Sequence, residues 1–278
     1  TGETPLIQAE DSQLTTSFDE ELIQNLPIAR EFVAVAAMTA GVADNGAYGA
    51  GGNVQSEGTG RYRRGSAANA YRLNGVDVTE PDWGATWVNP SVDTLAEVQV
   101  VGIGASAEYG NFTGAAINLI TKGGTNVFHG GLSGYHQGGW LRHFPDDIIE
   151  DFKWGEFRYD WDISGHVGGP IVRGRLLGFG NISRTMHKEA RFGADESFGD
   201  KRFEDTKRTR YHGRLDFQAN DRNTIGVMYS SDPGTDKNLG RSQGSGPEIG
   251  YNFDFGSKSW LASWQSQFSD NTYFDFRY

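Results

Sequence analysis

Residues 158–167 read RYDWDISGHV and alternate without a break. In an extended chain successive side chains point to opposite faces, so Tyr159, Trp161, Ile163, Gly165 and Val167 share one side. Arg158, Asp160, Asp162, Ser164 and His166 share the other. A helix would scatter both sets around its axis, so the period of two predicts a strand with one dry face and one wet face. YHGRLDFQA (211–219) repeats the pattern, with Tyr211, Leu215 and Phe217 opposed to His212, Arg214, Asp216 and Gln218. NTYFDFRY (271–278) does so again, with Phe274, Phe276 and Tyr278 opposed to Tyr273, Asp275 and Arg277. Weaker versions at about 127–137, 175–190, 222–230 and 258–268 bring the count to about seven strands.

Alternation alone suits any half-buried antiparallel sheet. Strand and loop lengths narrow it. The clear strands run about nine to eleven residues, the length that crosses a hydrocarbon core when tilted. Long connections over about 138–157, 191–208 and 231–257 take turns with short ones near 169–174, 220–222 and 269–271. Outer-membrane barrels sort their loops in this way, with short periplasmic turns and long extracellular loops. The second half is therefore read as antiparallel transmembrane β-barrel strands. The apolar side meets lipid, and Arg158, Asp160, Asp162, Arg214 and Asp216 line a hydrated interior. The barrel is expected to be incomplete, because an odd number of strands leaves two bare edges in lipid. Further strands after Tyr278, or a miscount by one, are both open.

Composition excludes several classes. The formal net charge of −11 disfavours a nucleic-acid partner, whose phosphates need a basic face. With no cysteine there is neither a disulfide framework nor a thiolate metal site. The chain has 39 glycines, roughly twice ordinary usage, and 7 tryptophans, 11 tyrosines and 17 phenylalanines, which suits a β-protein with tight turns and exposed rings. No apolar run of about 18 residues exists for a membrane-spanning helix, a limit that does not touch strands. No signal peptide is visible at Thr1, and the opening TGETP reads as a start in mid-protein.

The first half is mixed. Ser17 and Glu20 have capping-box spacing, predicting a helix from Ser17 to about Asn25 that stops before Pro27. A second helix is expected over about 30–38, ended by Gly41, and 43–60 is read as a loop. Asn74-Gly75 between YRL and VDV predicts a type I′ hairpin, since both central residues of that turn need positive φ. Ser91 is expected to cap one helical turn before a strand at Glu97–Val101, and Ala115–Thr121 forms another strand. Together these make a small α+β unit.

Three stretches carry a resemblance: ELIQNLPIAREFVAVAAMTAGV (21–42), AYRLNGVDVTEP (70–81) and VQVVGIGASAEYGNFTGAAINLITKGGTNVFHG (98–130). They resemble the plug domain, and the plug-to-barrel junction, of TonB-dependent outer-membrane receptors of the Oar-like branch. Ser106–Gly110 and Ile120–Asn126 are the most specific parts. The resemblance implies a plug domain over 1–125 inside a large barrel, with 126–278 as the barrel's N-terminal portion. It implies import of an extracellular ligand, driven by TonB acting through a segment absent from this chain. Outer-membrane lipid would surround the barrel. The NG hairpin would then belong to the plug's small sheet, packed against the barrel wall.

Candidate ligand contacts are Tyr62, Arg63 and Arg64, in the one basic cluster, and Trp83 and Trp87, in the loop after the hairpin. Guanidinium forks suit carboxylates and phosphates, and indole rings stack on ligands. The plain alternatives are pairing of the arginines with interior acids and packing of the tryptophans under the plug. Trp140, Trp154 and Trp260 are read as an interfacial girdle. His166 and His212 are read as solvated interior residues, and the acidic loop Asp146, Asp147, Glu150 and Asp151 as solvated rather than calcium-binding. Neither Gly-x-Ser-x-Gly nor Gly-x-Gly-x-x-Gly occurs, so no catalytic set and no cofactor are expected. An adhesion or structural barrel, and a barrel hydrolase, stand as the alternative functions.

Overall fold

The computed structural model describes residues 15–25, 30–39, 42–44, 53–54, 69–80, 86–102, 114–141, 157–189, 203–239, 250–269 and 271–278. They form a mostly antiparallel structure with little helix, in two units. The first gathers the described residues within Thr1–Ser56, Arg63–Thr86 and Leu95–Thr121; the second gathers those within Trp87–Thr94 and Lys122–Tyr278.

In chain order the first unit holds strand β1 (Thr15–Asp19), helices α1 (Glu20–Asn25) and α2 (Phe32–Ala36), and strands β2 (Ala43–Asp44) and β3 (Asn53–Val54). Strands β4 (Ala70–Leu73), β5 (Val76–Asp77), β6 (Leu95–Val101) and β7 (Ala116–Thr121) follow. Five of them form one sheet in the order β1-β6-β7-β4-β5, parallel only between β7 and β4. The predicted hairpin is present. Arg72 pairs with Asp77 and Leu73 with Val76, and Asn74 and Gly75 have φ of 50° and 82°. Asn74 also ties the turn to β7. Its Oδ1 accepts the Thr121 amide at 2.9 Å, and its Nδ2 donates to Thr121 Oγ1 at 2.9 Å. Phe18, Phe32, Tyr71, Leu73, Leu95, Val98, Ile117 and Leu119 are buried, and the Phe32 and Tyr71 rings meet edge to face at 6.1 Å.

Two local expectations are corrected. Ser17 does not cap a helix: it lies in β1 opposite Gln99, because β6 takes residues 15–19 as its edge partner. Asp19 does the capping, its Oδ1 accepting the Leu22 amide at 2.8 Å. The second helix is shorter than 30–38, since the β-branched Val33 and Val35 weaken a short helix that their burial holds. Gly41, its expected stop, lies outside the described residues. Within the expected loop 43–60, β2 and β3 make a two-residue parallel pair.

The second unit is a meander. Its strands are β8 (His129–Gly138), β9 (Phe157–Val172), β10 (Leu176–Glu189), β11 (Glu204–Asn220), β12 (Asn223–Ser231), β13 (Gly234–Leu239), β14 (Tyr251–Phe255), β15 (Lys258–Ser269) and β16 (Thr272–Arg277). The main path runs β16-β15-β12-β11-β10-β9-β8, with every pair antiparallel. It is an open sheet among the described residues, not a closed one.

The seven strands counted from the sequence are those of the main path. The third long connection, however, is not all loop. β13 continues β12 after Asp232-Pro233 and pairs with β11, and β14 runs beside β13 before Gly256-Ser257 leads into β15. The break is bonded across: Asp232 Oδ1 accepts the Ser257 amide at 2.8 Å and its hydroxyl at 3.0 Å. Gly256 has a φ of 118° and lies against the Asp232 carbonyl, where a side chain would collide. Two strands also exceed the expected length, at 16 residues in β9 and 17 in β11. The alternation fades beyond the apolar stretch, while ladder hydrogen bonds continue past it.

The two faces divide as the period of two requires. Trp161, Ile163, Val167, Tyr211, Leu215, Phe217, Ile225, Val227, Trp260 and Trp264 are exposed. Ser164, Asn181, Ser183, Arg208, Arg210, His212 and Ser230 are buried. The buried face is not wholly polar: Phe179, Met228 and Leu261 lie on it, in the strands whose alternation is weak in the sequence.

Candidate functional site

The polar groups of the second unit converge where residues Trp87–Thr94 meet β11 and β12. This segment is stiff. Pro90 holds its middle, the Thr94 amide donates to the Ser91 carbonyl at 2.9 Å, and the Asp93 amide reaches Ser91 Oγ at 3.4 Å. Ser91 thus caps one 3-10 turn, Val92–Thr94, as its position predicts.

A small pocket is lined by Asn89, Ser91, Thr94, Arg210, His212 and Asp232, among others. Arg210 is only 5% exposed, so its charge needs partners. Its Nε donates to the Asn89 carbonyl at 3.1 Å and its Nη1 to Thr185 Oγ1 at 2.6 Å. The His212 ring exchanges a hydrogen bond with Ser230 through Nδ1 at 2.8 Å. Its Nε2 and Thr94 Oγ1 are buried without a protein partner on the same pocket, and both suit a small polar guest such as water. Further along this face, Asn181 Nδ2 donates to Ser164 Oγ at 2.9 Å. Ser133 Oγ donates to Asp93 Oδ2 at 3.0 Å, and Arg214 grips Asp216 at 2.9 Å. The Phe179 ring lies 6.0 to 6.4 Å from the rings of His129, His166 and His212.

Of the sequence candidates, Trp87 is 52% exposed, beside the buried Val88. Tyr62, Arg63, Arg64 and Trp83 lie outside the described residues, as do Trp154, Asp146, Asp147, Glu150 and Asp151. Trp140 and Trp260 are exposed at 82% and 71%. The expectation of a solvated His212 is corrected: it is buried because Trp87–Thr94 covers that part of the polar face. Sequence reasoning did not single out Asn89, Asp93 or Arg210. Alternation puts Arg210 on the wet face, but only the tertiary contact turns that face into a binding surface for the segment. Among the described residues no group of three or more His, Cys, Asp or Glu side chains is placed to hold a metal ion.

Comparison with solved structures decides the fold. The ferric enterobactin receptor PfeA of Pseudomonas aeruginosa matches 95% of this chain with a TM-score of 0.64 and 16% identity, over 39% of its own length. The ferripyoverdine receptor of the outer membrane of the same species, bound to ferripyoverdine, also matches 95% of the chain with a TM-score of 0.64 and 16% identity, over 33% of its length.

The chain has the fold of the TonB-dependent receptors.

Its sequence agrees. The TonB-dependent transporter Oar of Myxococcus xanthus is 23% identical over 86% of this chain and 25% of its own length. No protein-family model matches. The chain therefore spans about a quarter to two fifths of the relatives it matches. Those relatives are two receptors and a transporter, and the ferripyoverdine receptor is a protein of the outer membrane.

Proposed function

We propose that this chain is part of a TonB-dependent transporter, with residues 1–125 as the plug and 126–278 as the first strands of the barrel around it. The observation that carries the reading is the two-faced meander, apolar and exposed on one side, polar and buried on the other, following a compact five-stranded α+β unit. Lipid takes the apolar face, because every strand edge in hydrocarbon must be paired and every exposed side chain apolar. Polar groups such as Arg214 and Asp216 belong to a hydrated interior. Neither face carries out covalent chemistry: the work is binding, followed by displacement of the plug. TonB supplies the displacement from the inner membrane. Tyr62, Arg63, Arg64, Trp83 and Trp87 are the ligand contacts of this reading, with Trp87 supported by its exposure.

The solved relatives are receptors for ferric enterobactin and for ferripyoverdine, and ferric siderophores are accordingly the first ligands to test. The experiment is uptake of iron-55 siderophores, and of labelled peptides and glycans, by cells carrying or lacking the intact receptor, with and without a protonophore. Uptake that needs both the receptor and the proton gradient supports transport. Binding without energised uptake for every ligand class leaves an adhesion or structural barrel.

A further inference from the structure

The chain leaves the first unit at Thr86, whose bridge to Thr79 closes a loop, and returns at Leu95, where β6 begins. Trp87–Thr94, between these points, groups with the meander instead. Three elements far apart in sequence hold it: Arg210 of β11 on the Asn89 carbonyl, Ser133 of β8 on Asp93, and the Lys122 amide on the Thr94 carbonyl at 2.8 Å. Val88, Asn89 and Val92 are each 2% exposed, and Thr94 is fully buried.

We infer that Trp87–Thr94 is a fixed strap, which stays bonded to the meander while the first unit rearranges. The physical reason is an asymmetry of costs. Releasing the strap would strip Arg210 of a carbonyl partner while its guanidinium stays buried, and a buried charge that loses a partner is strongly destabilising. It would also expose Val88 and Val92. Separating β1 from β6, by contrast, breaks ladder bonds of a peripheral strand with three exposed residues and one half-buried residue beside Phe18. Such an edge opens first. Rearrangement would then divide at Thr86 and Leu95, and the hairpin on one side and β6 on the other would remain tethered within a few residues of the strap.

The inference takes its biological meaning from the plug reading, but its test does not depend on transport, so the two can fail separately. Hydrogen exchange of the intact receptor in detergent, read by mass spectrometry over rising urea, compares three sets of peptides. The strap, residues 87–94 with Lys122, is expected to keep its protection with β11 and β12 at urea concentrations where β1, β6 and β7 exchange. Loss of strap protection together with β6 and β7 overturns the proposal. Arg210→Met is expected to speed strap exchange by about tenfold, the loss of one buried hydrogen bond to a charge, with β6 and β7 unchanged. An unaltered strap in that variant overturns the anchor. Ser133→Ala reads the second anchor in the same way if Arg210→Met does not assemble.

Discussion

The orientation of the meander can be tested by placing one positive charge at two depths on the same strand. On β9 the outward apolar residues run from Trp161 to Ile171, with Trp161, Ile163, Val167 and Ile171 at 38%, 48%, 60% and 60% exposure. Those ten steps span about 34 Å along a strand. At a tilt of about 45° they rise about 24 Å, close to the roughly 25 Å apolar band of outer-membrane barrels. The centre of the band then lies at Gly165 to Val167, and Trp161 stands at its rim. The neighbours agree: Trp161 pairs with Met186, and Met186 with Lys207, whereas Val167 pairs with Gly180. Val167→Arg is expected to cost about 2–4 kcal/mol relative to Val167→Ala, and Trp161→Arg only about 0–1 kcal/mol relative to Trp161→Ala. The assay is reversible unfolding of the intact receptor from phospholipid bilayers in guanidinium, followed by tryptophan fluorescence. If arginine at 167 costs no more than arginine at 161, the exposed face is not the lipid face.

Other outcomes follow from single contacts. Asp216→Ala removes the carboxylate that Arg214 grips with both Nε and Nη2, and should lower stability by about 1–3 kcal/mol in the same unfolding assay. Gly124→Ala would put a methyl 2.4 Å from the Gly178 amide nitrogen, so a cost of about 1–3 kcal/mol is expected, whereas Gly134→Ala meets nothing within 4 Å and should be near neutral. Asn74→Ala loses two hydrogen bonds to Thr121 and a residue that, among those with a side chain, tolerates a φ of 50° well; about 1–3 kcal/mol should appear as faster hydrogen exchange of β4 and β7.

The sequence by itself determined whatever depends on neighbours along one strand or one turn. Alternation in Arg158–Val167 and Tyr211–Ala219 decided which side chains share a face, because the pleat has a period of two whatever the partner strand. Asn74-Gly75 decided a hairpin, because few residues accept positive φ in succession. Ser91 decided its own turn through a bond two residues away. Tertiary structure decided what depends on partners distant in sequence. Ser17 became a strand residue only because Gln99 lies opposite it, and Asp19 then took over the cap. The connection after Ser231 became two strands only because β11 extends far enough to pair with β13. Arg210, legible as a residue of a wet face, became a buried anchor only when the Asn89 carbonyl was laid against it. Periodicity carries the direction of a side chain; what it meets there is settled by contacts across more than a hundred residues, and no local pattern encodes them.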